Sequence, residues 1–437
     1  MKKRVVSLRL FLLVCCALLA GCSSEGTNNS TQEEHIAGET NQETINLRVA
    51  WWGGQERHDR TLEAIELFEE KYPHINIEPE FTGWDGYWEK LNTQAAGNNL
   101  PDVINMSDVK LNEFNSRGLL ADLTPFIDER VINFDKVDEI YQNINSIDGK
   151  NLGVVLGTGA NGLIMNQDLL DKHGVSLEPG YTYDDLRTAM QQIKDSEGEN
   201  FYGFDFANAE LEIFLIYARQ HGEALFNHDG TGLGFQDKTL IDFFTFIQNM
   251  VKDGIAPSHD ITMEYIEGGQ SMVGEGSAAL AMAASNQLIG VSQQTEDKLV
   301  LNVLPSLEKG VPGNWIRQTM SFSVYEHSKH KEEAAMFIDF ITNDIEANEI
   351  LMADRGVPIS SEVREHLATI VDESVKETFD FLDLVVDFSR EADPLPPAGE
   401  SEVRGSFVRI VEQIKYDRIT PEEAAHEFRK EAESILE

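Results

Sequence analysis

The sequence predicts an α/β fold built as two lobes, and three observations predict it. From residue 45 onward, short segments with alternating apolar residues take turns with segments of helical spacing, the pattern of an open layer with parallel strands. About 390 residues follow the amino-terminal region, room for two or three domains at roughly 100–200 residues each. Strand character also returns after a middle region heavy in helix, so the chain crosses between lobes more than once.

The amino-terminal elements come first. Lys2, Lys3, Arg4 and Arg9 precede the apolar run LFLLVCCALLAGC, which is short for a permanent membrane span. A basic start, an apolar middle and small residues before a cut describe a signal peptide over residues 1–21. The stretch Leu19-Ala20-Gly21-Cys22 resembles the lipobox of bacterial lipoproteins, which implies cleavage before Cys22 and a lipid on its sulfur. An ordinary secretory leader with an incidental cysteine is the competing reading. Cys15 and Cys16 fall in the removed part, so no pair remains for an intramolecular disulfide. Residues 22–44 are polar and small, the composition of a flexible tether.

The body begins with INLRVAWW, a strand in which Ile45, Leu47 and Val49 alternate with polar neighbours. Leu62, Ile65, Phe68 and Tyr72 then recur at helical spacing from Glu56, and Pro73 ends that helix. INIEPEF is a second strand, Trp84 to Ala96 a second helix, PDVINMS a third strand, and Asp108 to Arg117 a third helix. Ligands of such sheets collect at the carboxyl ends of the strands. That rule brings the loops bearing Trp51 and Trp52, Trp84 and Trp88, and Asp108 to one edge.

Further on, NLGVVLGTGANGLIMN runs from strand to strand through glycines 157, 159 and 162. The motif matches G-x-G-x-x-G, yet a dinucleotide site needs a helix to start there and LIMN reads as extended chain. A hinge, where torsions change without side-chain clashes, fits the glycines better. Thr182 is the expected N-cap of the helix in TYDDLRTAMQQI, and two more helices follow in ELEIFLIYARQHG and LIDFFTFIQNMVKDG. SAALAMAA, LVLNVLP and TMSFSVY read as strands, and Ala334, Phe337, Ile338 and Ile341 form one face of another helix. DPLPPAG breaks the chain before the closing helices.

Charge narrows the function. With 35 basic and 76 acidic residues the net charge is −41, which disfavours DNA, RNA and anionic lipid surfaces as partners. Neither a G-x-S-x-G elbow nor an H-E-x-x-H helix occurs, and no cofactor or metal is expected. A surface glycosidase, which needs two flanking carboxylates, stays open because acidic residues are abundant. Sugars offer apolar faces rimmed by hydroxyls, matched by flat rings beside amides, carboxylates and guanidinium groups. Trp51, Trp52, Gln55 and Arg57 supply that mixture in one loop, and Trp84, Asp85, Tyr87 and Trp88 in another. The competing reading makes each tryptophan a core anchor.

In order and spacing, several strings resemble one family: RVAWW and LFEEKYPHINIEPEF, LPDVINMSD, RGLLADLTPFI, NGLIMNQDLLDKHGV, TYDDL, VGEGSAALAMAAS, SKHKEEAAMFIDFI and RGVPIS. Together they are similar to the extracellular solute-binding lipoproteins of ABC sugar importers, the group that includes maltose-binding protein. The resemblance implies a two-lobed periplasmic-binding-protein-like fold with a hinge and an interlobe cleft. The expected first lobe is 45–158 plus about 318–360, and the second 159–317 plus about 361–437. It implies a monomeric, non-enzymatic receptor, lipid-anchored through Cys22 on the outer face of a bacterial cell membrane. Such a receptor closes on an oligosaccharide and delivers it to permease subunits. A sugar sensor serving a chemoreceptor or kinase is the alternative partner reading.

By position, the resemblance makes Trp51 to Arg57, Trp84 to Trp88 and Asp108 the wall of the first lobe, and Asn161 a hinge residue. Ser285, Asn286 and Gln287 fall in a second-lobe ligand loop, where Gln287 stands in place of the common aromatic residue. Trp315, Arg317 and Gln318 are expected at another crossing. Arg57 and Arg317 leave open whether the ligand carries a carboxylate, as uronic oligosaccharides do.

Overall fold

Leu47 and Val49 are fully buried while Asn46 is exposed, the alternation of a strand with one face on a core. In the computed structural model, which describes residues 44–394, 397 and 399–437, this strand runs from Ile45 to Trp52. It pairs in parallel with Ile75–Thr82 on one side and Val103–Met106 on the other. Helices Gln55–Lys71, Trp84–Ala96 and Asp108–Ser116 follow the three strands in turn. Arg317–Val324 then pairs antiparallel to both Val103–Met106 and Val154–Gly159, completing a five-stranded sheet. A second sheet places Leu299–Asn302, Asn161–Asn166, Ala278–Ala284 and Tyr202–Asp205 side by side. Both sheets belong to one compact unit, Thr44–Glu437.

Register fixes which edges meet. Arg317 pairs with Gly159, and Ser321 with Met106, so the start of Arg317–Val324 lies at the same edge as the ends of the parallel strands. In the second sheet Asn161 pairs with Ala284, and Asp205 with Ala281, which puts the start of one strand beside the ends of two others. Only Ala160 separates Val154–Gly159 from Asn161–Asn166. The strand-end edges of both sheets therefore meet at this crossing. Ser285 braces it: its backbone N–H donates to Ala160 O at 2.9 Å, and its Oγ accepts from Ala160 N at 3.4 Å.

No helix begins in the glycine-rich stretch, as the extended reading of LIMN requires. The glycines nevertheless serve contact more than torsional freedom. A Cβ on Gly157 would stand 2.1 Å from Arg355 O, and one on Gly162 would stand 2.5 Å from Phe381 Cζ. Neither glycine is in the left-handed region. Gly157→Ala is expected to cost about 1–3 kcal/mol through overpacking, read by chemical denaturation, whereas Gly159→Ala, with ordinary contacts, should cost less.

The elements read from sequence recur with small shifts. The Trp84–Ala96 helix has the expected bounds, and Thr182 caps Tyr183–Glu197 through a reciprocal box with Asp185. Short elements escaped the reading, strand Tyr202–Asp205 and helices His259–Glu267, Ile345–Leu351 and Ser361–Leu367, and so did the longer, amphipathic helix Glu373–Val386. The expected leader, Cys22 and all of the tether but Thr44 lie outside the described residues. Among the described residues no helix is long and apolar enough to cross a membrane.

Candidate functional site

Consecutive strand residues point to opposite faces, so Trp51 and Trp52 part company. Trp51 is 0% exposed, stacks on Phe81 with centroids 5.0 Å apart, and donates from Nε1 to His58 Nδ1 at 3.1 Å. This corrects its reading as a wall residue: both the ring and its donor are used inside the first half. Trp52 turns to the other face and joins an aromatic cluster. Its ring meets Trp84 edge-on at 5.0 Å, Tyr87 at 5.3 Å and Trp88 at 5.5 Å. Tyr87 is a buried brace whose hydroxyl donates to Asn105 O at 2.7 Å, and burial pushes its pKa well up. Trp88 is buried too, and its Nε1 has no protein acceptor.

Trp84 stands apart. It opens its helix at the strand-end edge and is 45% exposed, the largest exposed ring among the described residues. Buried Trp52 and Trp88 support it from behind, with the Trp84–Trp88 centroids 5.4 Å apart. Asp85 and Asp108 are exposed beside the same edge. The helices starting at Gln55 and Trp84 follow glycine N-caps, Gly54 and Gly83, which offer no side chain to their first N–H groups.

The scaffold beneath these rings is tied by one carboxylate. Glu80 Oε1 accepts from Arg48 Nε at 2.8 Å and Nη2 at 2.5 Å, while Oε2 meets Lys90 Nζ and Gln94 Nε2, both at 2.8 Å. Burial works to raise its pKa, but the bonds from Lys90, Gln94 and Arg48 outweigh burial and hold it below the usual 4.5. A depressed carboxyl stabilises the fold fully above its unfolded value and loses that effect as pH falls through the folded value. Glu80→Gln is thus expected to cost about 1–3 kcal/mol at neutral pH. Melting curves of the two proteins should converge as pH falls below 4.5.

Around the crossing the polar groups gather. Asn161 is buried: its Oδ1 accepts from Arg317 Nη2 at 2.9 Å and its backbone O accepts from Asn314 Nδ2 at 2.6 Å. Its Nδ2 has no protein partner. Burial draws the Arg317 guanidinium below its ordinary range, opposed by Asp108 from the first half and Glu212 from the second. Arg404, which further lowers it, is itself 3.1 Å from Glu212 and 2.5 Å from Glu400. Trp315 is partly exposed, with Arg219 over its ring at 5.2 Å.

Other expected residues have internal duties. Arg57 bonds Asp354 through Nε at 2.8 Å and through Nη2 to its backbone O at 2.9 Å, so its fork is occupied. Gln55 is exposed and donates to Asp59 at 2.8 Å. Gln318 is buried, accepting from Asn145 Nδ2 at 2.9 Å, and Ser285 serves the crossing. Asn286 and Gln287 are exposed at the edge of the second sheet, and Gln287 Oε1 accepts from Ala284 N at 2.8 Å.

Sequence reasoning passed over the turn after Tyr202–Asp205. There Ala207 and Asn208 hold φ of 52° and 57°, a conformation that costs energy outside glycine and often marks a working surface. Asp205 and Ala284 end adjacent parallel strands, so this turn borders the same edge. Glu212 and Arg404 were missed as well. Their common neighbour Arg317 is more than 80 residues distant in sequence from each, beyond the reach of any local pattern. Among the described residues no cluster of His, Cys, Asp or Glu is arranged to hold a metal ion.

This chain matches known proteins over most of its length. The family described as bacterial extracellular solute-binding protein matches residues 56–347. An arabinooligosaccharide-binding protein of Bacillus subtilis is 23% identical over 82% of this chain and 80% of its own. An extracellular solute-binding protein of family 1 from Alicyclobacillus acidocaldarius superposes with a TM-score of 0.81 at 25% identity, covering 90% of this chain and 99% of its own. A periplasmic oligogalacturonide binding protein from Yersinia enterocolitica gives 0.75 at 27% identity, with 90% and 99% covered.

Proposed function

The chain belongs to the bacterial extracellular solute-binding proteins, and from that membership we propose that it captures an oligosaccharide for an ABC importer. The supporting observation is the Trp84 ring, exposed at the edge where both sheets end and backed by buried indoles. Its flat face suits the C–H face of a sugar. Asn161 Nδ2, the helix starts after Gly54 and Gly83, and the amides of Asn286 and Gln287 suit hydroxyls. The first lobe comprises 45–158 plus about 318–360 and the second 159–317 plus about 361–437, hinged where Ala160 joins the sheets. A sugar touching both lobes favours the closed form, because only a difference in affinity between two states shifts their balance. The lobes carry out no chemistry on it. Cys22 anchors the monomer to the outer face of the cell membrane, where permease subunits receive the sugar.

The ligand is a neutral oligosaccharide. Arg57 is engaged by Asp354, Arg404 by Glu212 and Glu400, and Lys110 by Glu113. Arg317 already feels Asp108 and Glu212. An added carboxylate would have to displace these anions or face them across a shared edge. The experiment is a thermal-shift screen with arabino-, galacto- and malto-oligosaccharides against oligogalacturonides. A neutral sugar should raise the melting temperature, since a ligand selective for the native form stabilises it. Stabilisation by oligogalacturonides alone would refute neutrality, and a released reducing end would refute capture without chemistry.

A further inference from the structure

We propose that Arg219 is a positioning residue for ligand capture, fixing the Trp315 ring and clamping two chain segments, one of them leading into the Arg317 crossing, from inside the second lobe; this rests on the reading of the edge as a sugar site. Arg219 sits near the end of helix Glu210–Gln220 and is 2% exposed, an unusual place for a cation with no ligand. Its fork is filled from several directions. Nε donates to Gly313 O at 2.8 Å, Nη2 donates to Arg390 O at 3.1 Å and Glu391 O at 2.6 Å, and Nη1 bonds Asp393.

Those acceptors come from two separate segments, and the segments are tied together. Gly313 N and Asn314 N donate to Phe388 O at 3.1 and 3.0 Å, and Arg390 N returns a bond to Asn314 O at 3.0 Å. Asn314 Nδ2 reaches Asn161 O in the main crossing at 2.6 Å. A Cβ on Gly313 would stand 2.5 Å from Ile216 O, so this segment lies hard against the helix that carries Arg219. One guanidinium thus sets how the segments at 313–314 and 390–393 seat on the second lobe, and through Asn314 it reaches the crossing at Asn161.

The same group lies 5.2 Å from the centre of the Trp315 ring, within cation–π range. Trp315 precedes Arg317 by two residues, and in extended chain that spacing puts both side chains on one side. An indole held by a cation that four hydrogen bonds fix in place cannot turn freely, and the part of the ring left in solvent is held ready for the sugar. Lysine would not substitute, because a single ammonium cannot span acceptors on both segments in the planar fork geometry.

Acrylamide quenching of Trp315 emission tests this without any ligand, each protein being compared with its Trp315→Phe counterpart. Arg219→Lys is expected to make Trp315 more quenchable and to weaken binding of an arabino-oligosaccharide mixture about tenfold. That loss should vanish in the Trp315→Phe background. A merely structural Arg219 would lower the melting temperature but leave quenching and affinity of the folded protein unchanged, which overturns the proposal. So does an affinity loss of equal size with and without Trp315. Asp393→Asn keeps Arg219 in place while weakening its anchor, and should show the same effect more mildly if Arg219→Lys fails to fold. If the wild-type protein binds no sugar, the oligosaccharide reading falls, and quenching alone decides the role of Arg219.

Discussion

Trp84→Ala is expected to weaken oligosaccharide binding by roughly a hundredfold, the effect of losing a central aromatic anchor worth about 2–3 kcal/mol. The melting temperature of the unliganded protein should barely move. Trp84 is the one indole of the first lobe with much of its surface in solvent, so its removal opens no sealed cavity. The rings behind it, Trp52 and Trp88, keep their contacts with Tyr87 and with each other. Titration calorimetry of Trp84→Ala and Trp84→Phe separates the causes. Phenylalanine should recover part of the affinity if stacking is the source, and none if the indole N–H is.

Trp51→Ala should behave in the opposite way. Its ring is sealed between Phe81 and the helix bearing His58, and its N–H is satisfied by His58 Nδ1. Truncation leaves a large cavity and an unpaired imidazole nitrogen, with an expected cost of about 3–5 kcal/mol in chemical denaturation. At a temperature where the variant remains folded, its sugar affinity should match that of the parent. A stable Trp51→Ala protein that had lost binding would reverse the assignment of these two tryptophans.

That pair shows where sequence reading reaches and where it stops. The alternation of Ile45, Leu47 and Val49, the helical spacing through Tyr72 and the N-cap at Thr182 are local, and the structure repeats them. The gathering of several loops at one edge was legible too, since parallel strands send their following loops the same way. Alternation in phase with Leu47 and Val49 already put Trp51 on their buried face and Trp52 on the other; what local pattern could not give is the partners each ring meets. Trp51 and Trp52 have almost the same neighbours in sequence, yet one meets Phe81 and the other Trp84. Arg57 looked free because its partner Asp354 is 297 positions away, and Gln318 likewise meets Asn145 from a distance of 173. The Arg219 clamp draws all its acceptors from residues 313 and 390–393, so no motif around position 219 announces it. Strand Tyr202–Asp205 carries Gly203 and Asp205 among its four residues, so it lacks the apolar run that made Val103–Met106 and Leu299–Asn302 legible.

The central physical idea is that a sugar lying on Trp84 also touches the second sheet's edge and so draws the halves together about Ala160. Small-angle X-ray scattering, with and without the neutral oligosaccharide found by thermal shift, measures this most directly. Saturating sugar should shrink the radius of gyration of the wild-type protein, and Trp84→Ala at the same sugar concentration should keep the unliganded value. A bound wild-type protein whose scattering curve does not change would contradict closure about that crossing.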